Sequence, residues 1–152
     1  MKPFHYRLQF LHHIRQKDQD NAKESYAAAM QERIRQEQRS QAILDRISQV
    51  AEQIKEQINQ GVSARLLPAY YGTMANFKDE FRRSQELVAE KAESEEKLRQ
   101  EYLAKKVEFD ALDKHRDRKK EEHLFQQFKD EEKMLEDLAN NRPALHSPFS
   151  PA

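Results

Sequence analysis

The chain has 152 residues with 27 basic and 27 acidic side chains, so its formal net charge is zero. Only two glycines and no cysteines occur, which argues against sandwiches, barrels and doubly wound sheets and excludes disulfides, cysteine-ligated metals and a thiol nucleophile. No run of about 18 apolar residues is present, and Arg7, His12 and Arg15 interrupt the N-terminal stretch, so neither a membrane span nor a signal peptide is expected.

The first predicted helix covers residues 4–58. Its apolar side chains recur with a helical period, which is typical of a helix that packs along one face. Residues 35–42, RQEQRSQA, leave a polar gap in this pattern. The apolar positions are Leu8, Leu11, Ile14, Tyr26, Met30, Ile34, Ile43, Ile47, Val50, Ile54 and Ile58.

A short connection is predicted at residues 59–65. Gly61 is the expected stop of the first helix, because glycine readily takes the backbone conformation that ends one. Ser63 is the expected N-cap of the next helix. Pro68 is compatible with a helix only in its first turn or at a kink.

The second predicted helix covers residues 66–139 and carries a stronger pattern. A strict alternation of three- and four-residue steps is apolar or aromatic at ten of fourteen positions, which indicates a coiled-coil seam. The fourteen positions are Leu67, Tyr70, Met74, Phe77, Phe81, Ser84, Val88, Lys91, Glu95, Leu98, Tyr102, Lys105, Phe109 and Leu112. Beyond Leu112 the pattern shifts and resumes at Leu124, Phe128, Leu135 and Leu138.

Because the connection is short, the two helices are expected to pack side by side in opposite directions. The predicted fold is therefore all-α: a long antiparallel two-helix coiled coil, or helical hairpin, over residues 1–139. A disordered proline-rich tail is predicted over residues 140–152.

The turn position also predicts the register of the hairpin. Residue i of the first helix should face roughly residue 125 − i of the second, which places Val50 beside Met74 and Leu11 beside Leu112. Residues from about 121 onward then extend past the first helix, and their apolar side chains have no partner within the chain.

Catalysis and cofactor binding are not expected. The chain has no HExxH motif, no histidine pair four residues apart and no glycine-rich phosphate loop. A two-helix coiled coil offers no desolvated cleft in which paired carboxylates could act as acid and base. We therefore expect no metal, no cofactor, no small-molecule substrate, and histidines that are solvated on a basic surface.

Charge is segregated along the chain although it balances in total. Residues 1–17 contain four bases and no acid, and residues 114–120, KHRDRKK, contain five bases and one acid. The hairpin would bring the two stretches together as a basic collar, whereas residues 121–137 hold seven acids and two bases. Nucleic-acid binding is one interpretation of the collar. Neutral total charge favours a protein partner with acidic groups instead.

The N-terminal residues 4–15, FHYRLQFLHHIR, resemble the opening motif of the FliJ family of flagellar export proteins, which often has the form F-x-[FY]-R-L-Q-x-L-L-x-x-R. The resemblance continues through Asp20 and Ala22 and includes the break at Gly61. It extends to about residue 140. The further matching positions are Leu67, Tyr70, Tyr71, Gln85, Leu138 and Ala139.

This resemblance implies an antiparallel coiled-coil stalk of the flagellar type III export apparatus, in the cytoplasm and peripherally associated with the inner membrane. The implied partners are the hexameric export ATPase FliI, whose ring formation it promotes, the export gate protein FlhA, and export chaperones. The residues expected to bind the ATPase are Phe4, Arg7, Leu8, Arg15, Arg116, Lys119, Leu124, Phe125 and Phe128. The residues expected to bind the gate are Ile43, Val50, Tyr70, Thr73 and Phe77.

Two alternatives remain open from the sequence. A stalk or adaptor of a virulence-type secretion system, or another coiled-coil scaffold, would share most of these features and differ mainly in the N-terminal motif. A nucleic-acid-binding helical hairpin would use the basic collar.

Overall fold

The computed structural model describes residues 2–61 and 64–141. Two helices, α1 (Gln9–Asn59) and α2 (Leu67–Asn140), make up nearly all of this part of the chain, and they pack against each other as a hairpin. No strand occurs within the described residues. The predicted all-α antiparallel hairpin is therefore confirmed. Ser63, the expected N-cap, and residues 142–152 of the expected disordered tail lie outside the described residues.

The helix ends follow the local chemistry of the sequence. Gly61 has φ of 72°, a left-handed conformation that glycine adopts without strain, and it follows the end of α1 as expected. Pro68 is the second residue of α2, where a missing backbone N–H costs little because the first turn has no intrahelical acceptor for it. Neither helix is apolar enough over the described residues to cross a membrane.

The contacts divide the chain into two compact units, which are described separately. The terminal unit comprises Met1–Gln16 and Val107–Ala152, and the central unit comprises Lys17–Lys106. The expectation that residues 1–139 form one domain stays a prediction.

In the central unit, the residues that α2 turns towards α1 are those of the predicted seam. From Tyr70 to Lys105, every position of the three-and-four alternation is buried or half-buried, including the polar Ser84, Lys91 and Glu95. Heptad spacing keeps one face of α2 against its neighbour over this whole length. The seam prediction for α2 therefore matches the observed burial.

The matching face of α1 in the central unit is more polar than the apolar pattern suggested. It continues straight through the predicted polar gap, where Gln36 is half-buried and Ser40 is 2% exposed. The side chains that α1 shields at heptad spacing are Gln19, Ala22, Tyr26, Ala29, Arg33, Gln36, Ser40, Ile43, Ile47, Val50, Ile54 and Gln57. Only the last third of this face is rich in β-branched apolar residues.

Contacts in the central unit show that the two helices are antiparallel, because residues later in α1 contact residues earlier in α2. The rings of Tyr26 and Tyr102 stack with centroids 6.1 Å apart, and the Arg33 guanidinium donates to the Glu95 carboxylate. Ser40 Oγ accepts a hydrogen bond from the Gln85 amide at 2.6 Å, the partner that the 125 − i relation predicts. Tyr102 and Glu95 each lie three residues later in the chain than the 125 − i relation predicts for the partners of Tyr26 and Arg33.

In the terminal unit the first residues do not form the predicted helix. Helix α1 begins at Gln9, whereas the sequence predicted a start at residue 4. Residues 2–8, here called the N-terminal strap, instead lie non-helically against α2. Two backbone hydrogen bonds make the turn into the helix, one from the Gln9 N–H to the Tyr6 carbonyl at 3.1 Å and one from the His12 N–H to the Leu8 carbonyl at 2.8 Å.

Candidate protein-binding surfaces

Three hydrogen bonds and two ring contacts fix the N-terminal strap to α2. The Tyr6 hydroxyl lies 2.6 Å from Nδ1 of His115. The carbonyl of Lys2 accepts from His123 Nε2 at 3.1 Å and from the Gln127 amide at 2.7 Å. The Phe4 ring lies 5.5 Å from the His123 ring, and the Tyr6 ring lies 5.7 Å from the His115 ring. The strap therefore covers a part of α2 that was expected to extend alone from about residue 121.

His12 is buried, which corrects the expectation that the histidines are solvated. It is 4% exposed, its Nε2 lies 2.9 Å from Asp113 Oδ1, and its ring centroid is 5.0 Å from that of Phe109. Asp113 is the partner that the 125 − i relation predicts for this position. The flanking Leu11 and Ile14 are each 37% exposed, so the histidine occupies the interface position that the apolar pattern assigned to them.

The basic collar of Arg7, Arg15, Arg116, Lys119 and Lys120 is only partly available to a partner. Arg15 donates to Glu108 at 2.9 Å, and Lys119 donates to Glu122 at 3.1 Å. Within the described residues, Arg7, Arg116 and Lys120 make no ion pair. Arg7, Lys119 and three histidines line one groove along the strap, together with the apolar side chains of Phe4 and Leu8. This groove brings together four of the residues expected to bind the ATPase, namely Phe4, Arg7, Leu8 and Lys119.

The C-terminal part of α2 presents an unpartnered apolar stripe. Its large apolar side chains are all more than half exposed, although such residues ordinarily pack in a soluble protein. The stripe consists of Leu124, Phe125, Phe128, Met134, Leu135 and Leu138. Lys129 lies over the Phe125 ring, with Nζ 4.8 Å from its centroid, and leaves the rest of the stripe uncovered.

The residues expected to bind the export gate fall into two groups in the central unit. Ile43 and Val50 are buried between the helices and offer no surface to a partner. Tyr70 and Phe77 are half-buried at the edge of the interface, and Thr73 is exposed with its hydroxyl donating to the Ala69 carbonyl at 3.0 Å. A surface contact at this place therefore relies on Thr73 and the edges of the two aromatic rings.

A polar layer lies inside the same unit and was not anticipated from the sequence. Each serine hydroxyl has one proton to donate. Ser84 donates its proton to the Phe81 carbonyl at 2.7 Å, so the Ser40 hydroxyl, 2.9 Å away, donates to Ser84. Gln85 completes the chain of hydrogen bonds by donating to Ser40. The spacing alone could have revealed Ser40 and Ser84, because both fall on heptad positions.

Charged groups between the helices are held by hydrogen bonds. The pKa of Arg33 is raised above its ordinary value because Glu95, and after it Glu37, accept hydrogen bonds from the guanidinium. The pKa of Glu32 is lowered from its ordinary value, chiefly because the Gln36 amide donates to its carboxylate at 3.0 Å. Both shifts arise from pairing at the edge of the helix interface.

No metal-binding group of three or more His, Asp or Glu side chains occurs within residues 2–61 and 64–141. The arrangement consists of helix faces, a groove along the strap and an exposed apolar stripe, all of which are features suited to binding protein.

Comparison with known proteins gives one match. The family model described as "Flagellar FliJ protein" matches residues 4–146, nearly the whole chain. No curated protein and no solved structure matches the chain. The matched region includes residues 4–8 of the strap, both helices and the stripe, and the hairpin agrees with the architecture that the opening motif implied. The chain therefore belongs to the FliJ family and is related to flagellar protein export.

Proposed function

We propose that this protein is a coiled-coil stalk of the flagellar export apparatus. It binds the hexameric export ATPase FliI through its terminal unit, promotes assembly of the ATPase ring, and binds the export gate protein FlhA through its central unit. Family membership supports a role in export. The main observation that supports the proposed ATPase contact is the exposed apolar stripe of α2.

The stripe supports this proposal because it leaves apolar surface in water. Leu124, Phe125 and Phe128 are 55%, 59% and 63% exposed. Burying such a side chain stabilises a complex by roughly 1.5–3 kcal/mol when burial is complete. A single helix can enter the central hole of a ring of subunits and be surrounded there, which buries this surface on several sides.

The collar supports contact with acidic groups around such a hole. Arg7 and Arg116 make no ion pair within the described part of the chain, and both belong to the terminal unit that carries the stripe. Arg7 is exposed and Arg116 is half-buried. Exposed charges speed encounter and orient a partner, and they do so less at high salt. In the proposed complex, ionic contacts lie at the rim and apolar contacts lie farther along the helix.

The proposed activity requires no catalytic residue in this chain. A ligand that binds the assembled ring and not its separate subunits shifts assembly by mass action. The ring is the form in which neighbouring subunits meet, so its population limits hydrolysis when the ATPase is dilute. We therefore expect this protein to raise ATP hydrolysis by the cognate ATPase most at low ATPase concentration.

The test measures ATP hydrolysis over a range of ATPase concentrations and salt. Deletion of residues 121–139 should remove the stimulation, and the double reversal Arg7→Glu with Arg116→Glu should weaken it. The matched control, Lys78→Glu with Arg82→Glu, changes the charge by the same amount in the central unit and should leave it intact. Equal stimulation by the deleted and full-length proteins would refute insertion of the helix into the ring.

The gate contact is tested on the exposed side of the central unit. Thr73→Arg should weaken binding to FlhA, whereas Ala75→Arg, exposed on the other side of the same helix turn, should not. Tyr70→Ala with Phe77→Ala should also weaken binding while circular dichroism stays helical. If helicity is lost instead, these two rings serve packing alone.

Export chaperones are further proposed partners, and binding to the gate would hold the protein at the inner membrane. Co-purification with the cognate ATPase, the gate protein and a chaperone, each tested separately, distinguishes these contacts. Retention of FlhA binding by the protein lacking residues 121–139 is expected, because the proposed gate residues belong to the central unit.

A further inference from the structure

The exposed face of α2 from residue 121 to 138 mixes carboxylates with apolar side chains. Glu131 follows Phe128 by three residues and precedes Leu135 by four, so it lies between them on the same face. Glu121 lies three residues before Leu124 and seven before Phe128, again on that face. Both carboxylates are exposed. The acids therefore belong to the apolar stripe itself.

The bases of the same segment do not neutralise this face. The segment contains only Lys129 and Lys133. Lys129 is engaged above the Phe125 ring, and Lys133 lies nine residues after Leu124, which at about 3.6 residues per turn places it on the opposite side of the helix. Lys2 lines a groove with Glu131 and Met134, but neither Glu121 nor Glu131 makes an ion pair within the described residues. A partner that covers the stripe must therefore cover unneutralised carboxylates.

This charge pattern argues against pairing of the stripe with a second copy of the chain. Two such faces would bring Glu121 and Glu131 of each copy into a shared apolar interface. Burying a carboxylate without an opposite charge is costly, and a like charge nearby adds repulsion. The seven acids and two bases of residues 121–137 would repel the same segment of another copy in either orientation.

We propose that the surface receiving residues 121–138 is apolar and carries Lys or Arg side chains placed to meet Glu121 and Glu131. This inference rests on the proposed function, in which that surface is the wall of the central hole of the ATPase ring. The rim contacts of the collar then require acids on the ATPase, whereas the wall contacts of the stripe require bases. Because the collar needs acids at the rim and the stripe needs bases on the wall, these charges fix how far the helix enters the hole and in which direction.

Two double variants remove the same number of negative charges from different positions, so they test whether the position of the charges matters. The stripe pair is Glu121→Gln with Glu131→Gln. The control pair is Asp130→Asn with Asp137→Asn, which removes the same charge from positions that are neither three nor four residues from Leu124, Phe128 or Leu135. Full-length variants are tested for binding to the cognate ATPase under conditions in which rings form. The stripe pair should weaken binding by about tenfold and the control pair by less than about twofold, since two close charge pairs are lost only in the first.

A second arm replaces the ATPase with defined peptides. The probes are helical peptides of about four heptads with leucine at the core positions and either lysine or glutamate beside them. The full-length protein should bind the lysine peptide at least about tenfold more tightly than the glutamate peptide, and the stripe pair should reduce this preference.

The two arms distinguish the two proposals. Equal binding of both peptides, equal loss with both substitution pairs, or dimers of the wild-type protein that deletion of residues 121–139 abolishes would overturn the inferred partner chemistry. If the ATPase binds the protein lacking residues 121–139 as well as it binds the full chain, the proposed function fails. The peptide preference then decides the inferred chemistry by itself.

Discussion

Replacing both serines of the polar layer in the central unit should lower the free energy of unfolding less than replacing one of them. Ser40 is 2% exposed, donates to Ser84 and accepts from Gln85. Ser40→Ala leaves the Ser84 oxygen without its incoming proton in a buried position, whereas the exposed Gln85 amide can return to water. A lost hydrogen bond of this kind lowers the free energy of unfolding by roughly 1 kcal/mol.

The double substitution Ser40→Ala with Ser84→Ala removes both hydroxyls from the interface. No buried group is then left unpaired, because Phe81 lies inside α2, where its carbonyl has a backbone partner one turn farther along the helix. The free energy of unfolding should therefore lie within about 0.5 kcal/mol of the wild-type value, and the two substitutions should couple by roughly 0.5–1 kcal/mol.

Urea denaturation followed by circular dichroism measures all four proteins of this cycle. Ser40→Val serves as the control, because replacing the hydroxyl with one methyl group and adding a second crowds a buried site and should lower the free energy of unfolding by about 1–3 kcal/mol. The reasoning is refuted if the double variant loses the sum of the two single effects, since the hydroxyls would then act independently.

Further expectations concern packing, acid stability and the strap. Ile43→Ala should lower the free energy of unfolding by roughly 2–4 kcal/mol and Ile58→Ala by much less, since only the first is buried; similar losses in urea denaturation would contradict the assigned interface. The lowered pKa of Glu32 contributes stability above the ordinary pKa of 4.5 that is lost as pH falls through the folded-state value. Gln36→Leu should reduce that loss, and an unchanged acid titration of stability would exclude the Gln36 hydrogen bond as its source. Tyr6→Phe removes the bond to His115 and should speed hydrogen exchange at the start of α1 without changing the urea midpoint by much; unchanged exchange would mean that this hydrogen bond does not hold the strap.

The hairpin could be predicted, and the register of its helices could be predicted to within three residues, because both depend on few signals. Gly61 marks the turn, and a turn position fixes which residues face each other in an antiparallel pair. Ser40 with Gln85 and His12 with Asp113 lie where that relation puts them. The α2 face was predictable because ten of its fourteen heptad positions are apolar or aromatic, and the four polar ones keep the same spacing.

The α1 face was harder to predict because hydrophobicity and position disagree there. Ser40 and His12 are buried by the geometry of the heptad, and hydrogen bonds to Ser84 and Asp113 offset the cost of burying them. An apolar pattern instead selects neighbours such as Leu11, which is 37% exposed. Heptad spacing matched to the α2 face predicts the buried residues of α1 better than hydrophobicity does.

The start of α1 was misplaced for a different reason. Residues 4–8 have acceptable helix propensity, but no Ser, Thr, Asp or Asn precedes them to cap a helix, and Pro3 limits the chain before them. Two aromatic rings gain contacts with His115 and His123 when this stretch stays non-helical. Tertiary contacts thus outweigh local propensity here.

The path of the strap also determines what a fusion partner would do to this protein. Lys2 lines a groove with Gln127 and Met134, so anything joined ahead of it emerges beside the exposed stripe. An affinity tag placed there would stand next to the helix surface whose binding is to be measured, and a bulky one would compete with the partner. A tag inserted at the Gly61 turn would instead belong to the central unit. Pull-down experiments with the ATPase should therefore give weaker capture from an N-terminal tag than from a turn-inserted one.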